Sequence, residues 1–170
     1  MQITSAEANK RLKKLEDELS TLIIMETKTS VFNAAVGEDE EKIRPAYDFS
    51  DTQKKIEDTQ EKIIELKHKI NEFNLITHPT YSWLSIDQTL VLLPMLNERK
   101  RMLDIMKRRL PRERARSYGT GTNAVIDYTI ANYNIEEAAK EYDRISDEIA
   151  KLQTDLDTVN STVKGIEVDD

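Results

Sequence analysis

The sequence predicts a mainly α fold, an antiparallel coiled-coil-like helical bundle with a short β strand or hairpin before the last helix. Three observations carry that reading. Of 170 residues 34% are charged and 38% apolar, with a mean hydropathy of −0.62, so buried surface is confined to narrow stripes on elements whose other faces are wet. Four Gly and four Pro leave few places for the chain to reverse, which disfavours a β-sandwich or a collagen-like repeat. Three segments repeat apolar residues at alternating spacings of three and four, the period of a helix seam.

Thr4 and Glu7 form a Thr-x-x-Glu capping box, which satisfies two unpaired amides at a helix start. A first helix is expected over about 5–36, with Leu12, Leu15, Leu19 and Leu22 on one face, Ile23, Val31 and Phe32 widening it, and Gly37 ending it. Pro45 bars Arg44 from the α region, so 37–50, with its acidic run Glu38-Asp39-Glu40-Glu41, reads as a loop before a cap at Ser50 or Asp51. In the second helix, about 51–76, Ile56, Thr59, Ile63, Leu66, Ile70 and Phe73 form a heptad seam that His78-Pro79 closes.

Ser85 and Gln88 make a second capping box, and Leu90, Leu93, Leu96, Leu103, Met106 and Leu110 trace a third helix over about 86–110. Pro94 inside it predicts a kink or a short first helix ending near Leu93. Over about 111–133 the helical period disappears. Val125, Ile126, Tyr128 and Ile130, after Gly119-Thr-Gly121-Thr-Asn123, predict a strand. Asn134 and Glu137 cap the last helix, about 135–164, whose seam Tyr142, Ile145, Ile149, Leu152, Leu156, Val159 and Val163 runs about 33 Å. The whole of 1–170 reads as a single helical domain, its seams closed within the monomer or completed by another copy.

Several residues together carry a resemblance. The segment Ile70-Asn71-x-x-Asn74-x-x-Thr77, the pattern of Leu96, Arg99 and Leu103, the connector Arg112-x-Arg114-x-Arg116, and the closing helix Tyr142 to Val163 resemble the septicolysin-like family of small bacterial helical proteins, in the same order over most of the chain. The chain departs from that family in its tail, where Val159-Asn160-Ser161-Thr162 stands in place of an Asn-Trp pair. The family has no established biochemical role, so the resemblance implies a helical fold and no activity.

Function classes narrow by chemistry. Without cysteine there is no thiolate nucleophile, thiolate metal site or disulfide, which suits a reducing compartment, and a cytoplasmic location is expected. The longest apolar stretch, Leu90 to Leu96, is far short of the roughly 20 residues of a membrane-spanning helix, and no membrane partner is expected. Glu65-x-x-His68 matches half of a di-iron bundle motif, but the phase set by Ile63, Leu66 and Ile70 points both side chains away from the seam. No Gly-x-Ser-x-Gly elbow places a nucleophile on a strained turn. The expectation is therefore no enzyme, no metal and no cofactor.

One anomaly remains. Between Arg99 and Arg116 nine Lys/Arg face only Asp104 and Glu113, a net +7 that leaves −14 for the rest of the chain. Arg99, Arg101, Arg108, Arg109, Arg112, Arg114 and Arg116 form a candidate patch for anions or for a partner. It suits a nucleic-acid or anion-binding module with Tyr81 and Trp83 as stacking platforms. It equally suits arginines that pair with acidic helices of this chain or of a neighbouring copy, while the aromatics plug the end of the bundle. A pI of about 5.0 favours the second reading: a non-enzymatic helical interaction or assembly protein that self-associates, with the last helix as its assembly seam.

Overall fold

Side-chain caps begin the long helices of the computed structural model, which describes residues 1–80, 82–115 and 127–168. The order is β1 (Gln2–Thr4), α1 (Ser5–Thr29), α2 (Glu40–Ile43), α3 (Phe49–Ile76), α4 (Ile86–Lys107), β2 (Arg112–Arg114), β3 (Tyr128–Ile130), α5 (Ile135–Thr162) and β4 (Lys164–Glu167). The fold is mainly α, with a short antiparallel hairpin before the last helix. Thr4 Oγ1 accepts the Glu7 N–H at 3.2 Å while the Thr4 N–H donates to Glu7 Oε2 at 2.9 Å, and that backbone bond holds the Glu7 carboxyl below the usual carboxylate range. Ser85 and Gln88 repeat the box at the start of α4. Asp48 caps α3 through the Asp51 N–H, and Asn134 Oδ1 accepts from the amides of Glu136 and Glu137 before α5.

The chain divides into two compact units, Met1–Thr77 with the segment from Thr158 onward, and His78–Asp157, where the sequence is read as one domain. In the first unit α1 packs along α3 in the antiparallel sense set by the Lys67–Glu16 ion pair at 2.9 Å and by Gln53 and Tyr47, which both donate to Glu26 Oε1. Ile56, Thr59, Leu66, Ile70 and Phe73 of the α3 seam are buried. The first strand pairs with the last, Ile3 opposite Ile166, and both side chains are buried. The ladder continues through the Met1 amine donating to the Val168 carbonyl at 2.9 Å and the Val168 N–H donating back to Met1 O at 3.0 Å. Gly165 lies on the ring of Phe73; a Cβ there would sit 2.9 Å from Phe73 Cε2.

In the second unit α4 and α5 form an antiparallel pair. Leu96 and Leu103 are buried with Ile145 and Ile149, flanked by the half-buried Leu92, Leu93, Met106, Tyr142 and Leu152. At one end the Lys107 ammonium lies 3.2 Å from the Tyr142 ring centroid, and at the other the Thr80 N–H donates to Asp155 Oδ1 at 3.1 Å. The Tyr133 hydroxyl, donating to the Met106 carbonyl at 2.9 Å, ties the end of α4 to the approach to α5.

Several expectations are corrected. α1 stops at Thr29, not near 36, leaving Val31 and Val36 exposed. The β-branched Thr27, Thr29 and Val31 with Ser30 are weak helix formers. Gly37 is not a helix stop but holds a left-handed turn at φ 94°. The acidic run is not all loop, since Glu40 and Glu41 occupy the first turn of α2, where the helix dipole favours negative charge. α4 ends at Lys107, three residues early, and continues past Pro94 rather than stopping near Leu93: Pro94 is exposed, so the Leu90 carbonyl it leaves without a helical donor can turn to water. α5 ends at Thr162, which puts Val163 outside the helix and exposed. The terminal pair β1–β4 is not anticipated at all. Of the expected strand run, Val125 and Ile126 lie outside the described residues, as does Gly119 to Asn123.

Two stability changes follow from this packing. Ile145→Ala should lower the urea unfolding free energy by about 2–5 kcal/mol, because the cavity opens between two ordered helices, while Lys151→Glu should change it by less than about 0.5 kcal/mol. An Ile145→Ala loss no larger than that of Lys151→Glu would show that the seam is not packed. Gly165→Ala should cost about 1–3 kcal/mol by forcing the buried Phe73 ring to shift, and an unchanged melting curve would contradict that contact.

Candidate assembly and anion-binding surfaces

Most of the basic segment is neutralised inside the chain. Arg99 Nη2 on α4 donates to Glu141 Oε1 on α5 at 2.6 Å, so this arginine belongs to the helix pair. Glu141 also accepts two bonds from Arg144 at 2.8 Å. These hydrogen bonds first, and the nearby charges of Arg144 and Arg99 second, hold its carboxyl below the usual range against the opposing effect of desolvation. Arg144 continues to Glu148 at 3.0 Å, and its guanidinium is pushed further up by Glu141. Arg101 grips Glu98 with two bonds of 3.0 and 2.7 Å, lowering that carboxyl. Arg108 reaches Asp104 at 2.9 Å, and Arg109 lies 3.7 Å from Glu113.

The two arginines of β2 differ. Pairing sets Arg112 opposite Ile130, Glu113 opposite Thr129 and Arg114 opposite Tyr128, so strand alternation collects Arg112, Arg114, Tyr128 and Ile130 on one face of the hairpin. All four are exposed. The Arg112 guanidinium lies 3.8 Å from the Tyr128 ring centroid, and Arg114 has no carboxylate partner among the described residues. Of the six described arginines of the candidate patch, Arg112 and Arg114 are the two without a carboxylate partner among the described residues. Arg116 and Tyr81 lie outside the described residues, and Trp83, 84% exposed, plugs nothing.

The seam of α5 is an internal surface over most of its length. Ile145, Ile149, Leu156 and Val159 are buried, and Tyr142 and Leu152 are half-buried. Sequence reasoning missed a second stripe. Val91, Met95, Met102 and Ile105 of α4 are 50–65% exposed and turned away from Leu96 and Leu103. The available signal was that apolar residues run nearly all round this helix, which an amphipathic surface helix does not allow.

Glu65 and His68 lie on an exposed face of α3, bound to Lys69 and Glu72, and no group of three His, Asp or Glu able to hold a metal ion occurs among the described residues. An open groove of about 430 Å³ in the second unit is lined by Ser82, Trp83, Leu92, Arg144, Asp147, Glu148, Lys151 and Asp155, a mixture of charges and apolar surface. No described helix is long and apolar enough to cross a membrane.

No protein-family model matches the chain, and no curated protein matches it. Among solved structures it is similar to the crystal structure of a functionally unknown conserved protein from Corynebacterium diphtheriae, with a TM-score of 0.59 and 16% sequence identity over 96% of this chain and 99% of that one. At that identity the likeness concerns the fold.

Proposed function

We propose that the protein is a non-enzymatic helical assembly module of the cytoplasm that works by self-association. The observation that supports this most is the outward stripe of α4, where the large apolar side chains of Val91, Met95, Met102 and Ile105 lie exposed along one helix face. The occupied arginines support it as well, since Arg99, Arg101, Arg108 and Arg109 serve carboxylates of the same chain and leave little free positive charge for a polyanion. A second reading, in which the protein holds a phosphate backbone, draws on the exposed Arg112, Arg114 and Tyr128 of the hairpin.

Light scattering at rising protein concentration, at low and high salt and with and without added RNA, separates the two. Self-association gives a mass that climbs above the 19.7 kDa of one chain and does not depend on RNA. The second reading gives an RNA complex whose affinity falls with salt at a log–log slope of about −1.4 for two phosphate contacts on a single strand. A mass of 19.7 kDa under every condition contradicts both.

A further inference from the structure

We infer that the face of the β2–β3 hairpin carrying Arg112, Arg114, Tyr128 and Ile130 holds single-stranded nucleic acid, with successive phosphates on the two guanidinium groups and a base stacked beside Tyr128. This rests on the second reading above and is independent of self-association. The Pro111 carbonyl accepts the Ala131 N–H at 3.1 Å, and the Ala115 N–H donates to the Asp127 carbonyl at 2.8 Å. Hydrogen-bonded pairs therefore fall on residues 111, 113 and 115 of the first arm, and Arg112–Ile130 and Arg114–Tyr128 are the non-hydrogen-bonded pairs, whose side chains stand closest across the strands. The Arg112 guanidinium lies diagonally over the Tyr128 ring, 3.8 Å from its centroid, and Arg114 stands directly opposite the same residue. One ring is thus flanked by two arginines.

Two guanidinium groups flanking one ring repel each other until an anion lies between them. The hairpin's own carboxylates do not fill that role. From Arg114 to Ile126 the sequence contains neither Asp nor Glu, and strand alternation puts Glu113 and Asp127 on the other face, where Glu113 meets Arg109. Same-face residues of a strand stand about 6.8 Å apart. That step lets Arg112 and Arg114 take successive phosphates of an extended strand, each with the planar fork that suits phosphate oxygens. The ring decides the class of ligand. An acidic peptide would use the two charges and leave Tyr128 and Ile130 bare, whereas a nucleotide brings a base whose flat face stacks on tyrosine or on a guanidinium plane. Two phosphate contacts make a weak site, so its occupancy is read at low salt.

The probe is a fluorescein-labelled oligouridylate, titrated by anisotropy at rising salt against the full chain and three variants, each checked for unchanged helical circular dichroism and melting temperature. The unmodified protein should bind with a log–log salt slope of about −1.4, and Arg114→Gln, which removes one contact, should halve that slope to about −0.7. Tyr128→Leu should weaken binding by about fivefold or more and leave the slope unchanged, because stacking releases no counterion. Lys151→Gln, away from the hairpin, should alter neither. Binding that neither hairpin variant changes puts the nucleic acid elsewhere, and this inference falls while the second reading stands. Binding that Tyr128→Leu leaves intact, and that polyglutamate displaces as well as unlabelled oligouridylate does, belongs to an acidic protein surface and overturns the inference. If the unmodified protein binds no oligouridylate at low salt, the inference and the second reading fall together.

Discussion

Ile145 keeps none of its surface in water, and the second unit is built around that contact with Leu96, Leu103 and Ile149. A chain with 38% apolar residues has enough greasy surface for one stripe per helix, and a stripe is satisfied only by another stripe. On α5 this works out evenly: the seam is inside, and Glu141, Arg144 and Glu148 line the outside in a ladder of ion pairs. On α4 it does not. That helix meets α5 with Leu96 and Leu103 and still has Val91, Met95, Met102 and Ile105 in solvent. Two helices give each other one face, so the second face of α4 is left over from its pairing with α5. That imbalance is the physical basis for reading the protein as an assembly module.

The charge asymmetry resolves along the same lines. A net +7 between Arg99 and Arg116 looks like a polyanion site when it is counted along the chain. In space Arg99 crosses to Glu141 on α5, while Arg101 and Arg108 fold back on carboxylates three and four residues away along α4. Helical geometry does this automatically, because neighbours at those spacings share a face. Among the described residues the hairpin offers no such neighbours on its Arg112 and Arg114 face.

Wherever a local rule governs, the sequence is legible. Thr4 with Glu7 and Ser85 with Gln88 are capping boxes in the sequence and in space, because cap chemistry depends only on residues within one turn. The seams of α3 and α5 are equally readable, since a regular period needs no knowledge of the partner. What escapes is set by contacts far apart in the chain or by a gradual loss of helix propensity. The pairing of Ile3 with Ile166 joins strands of three and four residues, too short for any period. The halt of α1 at Thr29 follows weak helix formers rather than a stop residue. The second stripe of α4 was hidden by the first, since Leu90, Leu93, Leu96 and Leu103 already made one plausible face, of which Leu90 proves to be exposed.

The central claim is that the outer face of α4 is covered when the protein acts. Its five methionines provide the most direct report, for Met95 and Met102 lie on that face, whereas Met25 is on α1 and Met106 flanks the internal seam. Methyl resonances of ¹³C-labelled methionine, followed by NMR from micromolar to millimolar protein, should show Met95 and Met102 shifting together with concentration while Met25 and Met106 hold still. Resonances of Met95 and Met102 that stay fixed across that range would contradict the account.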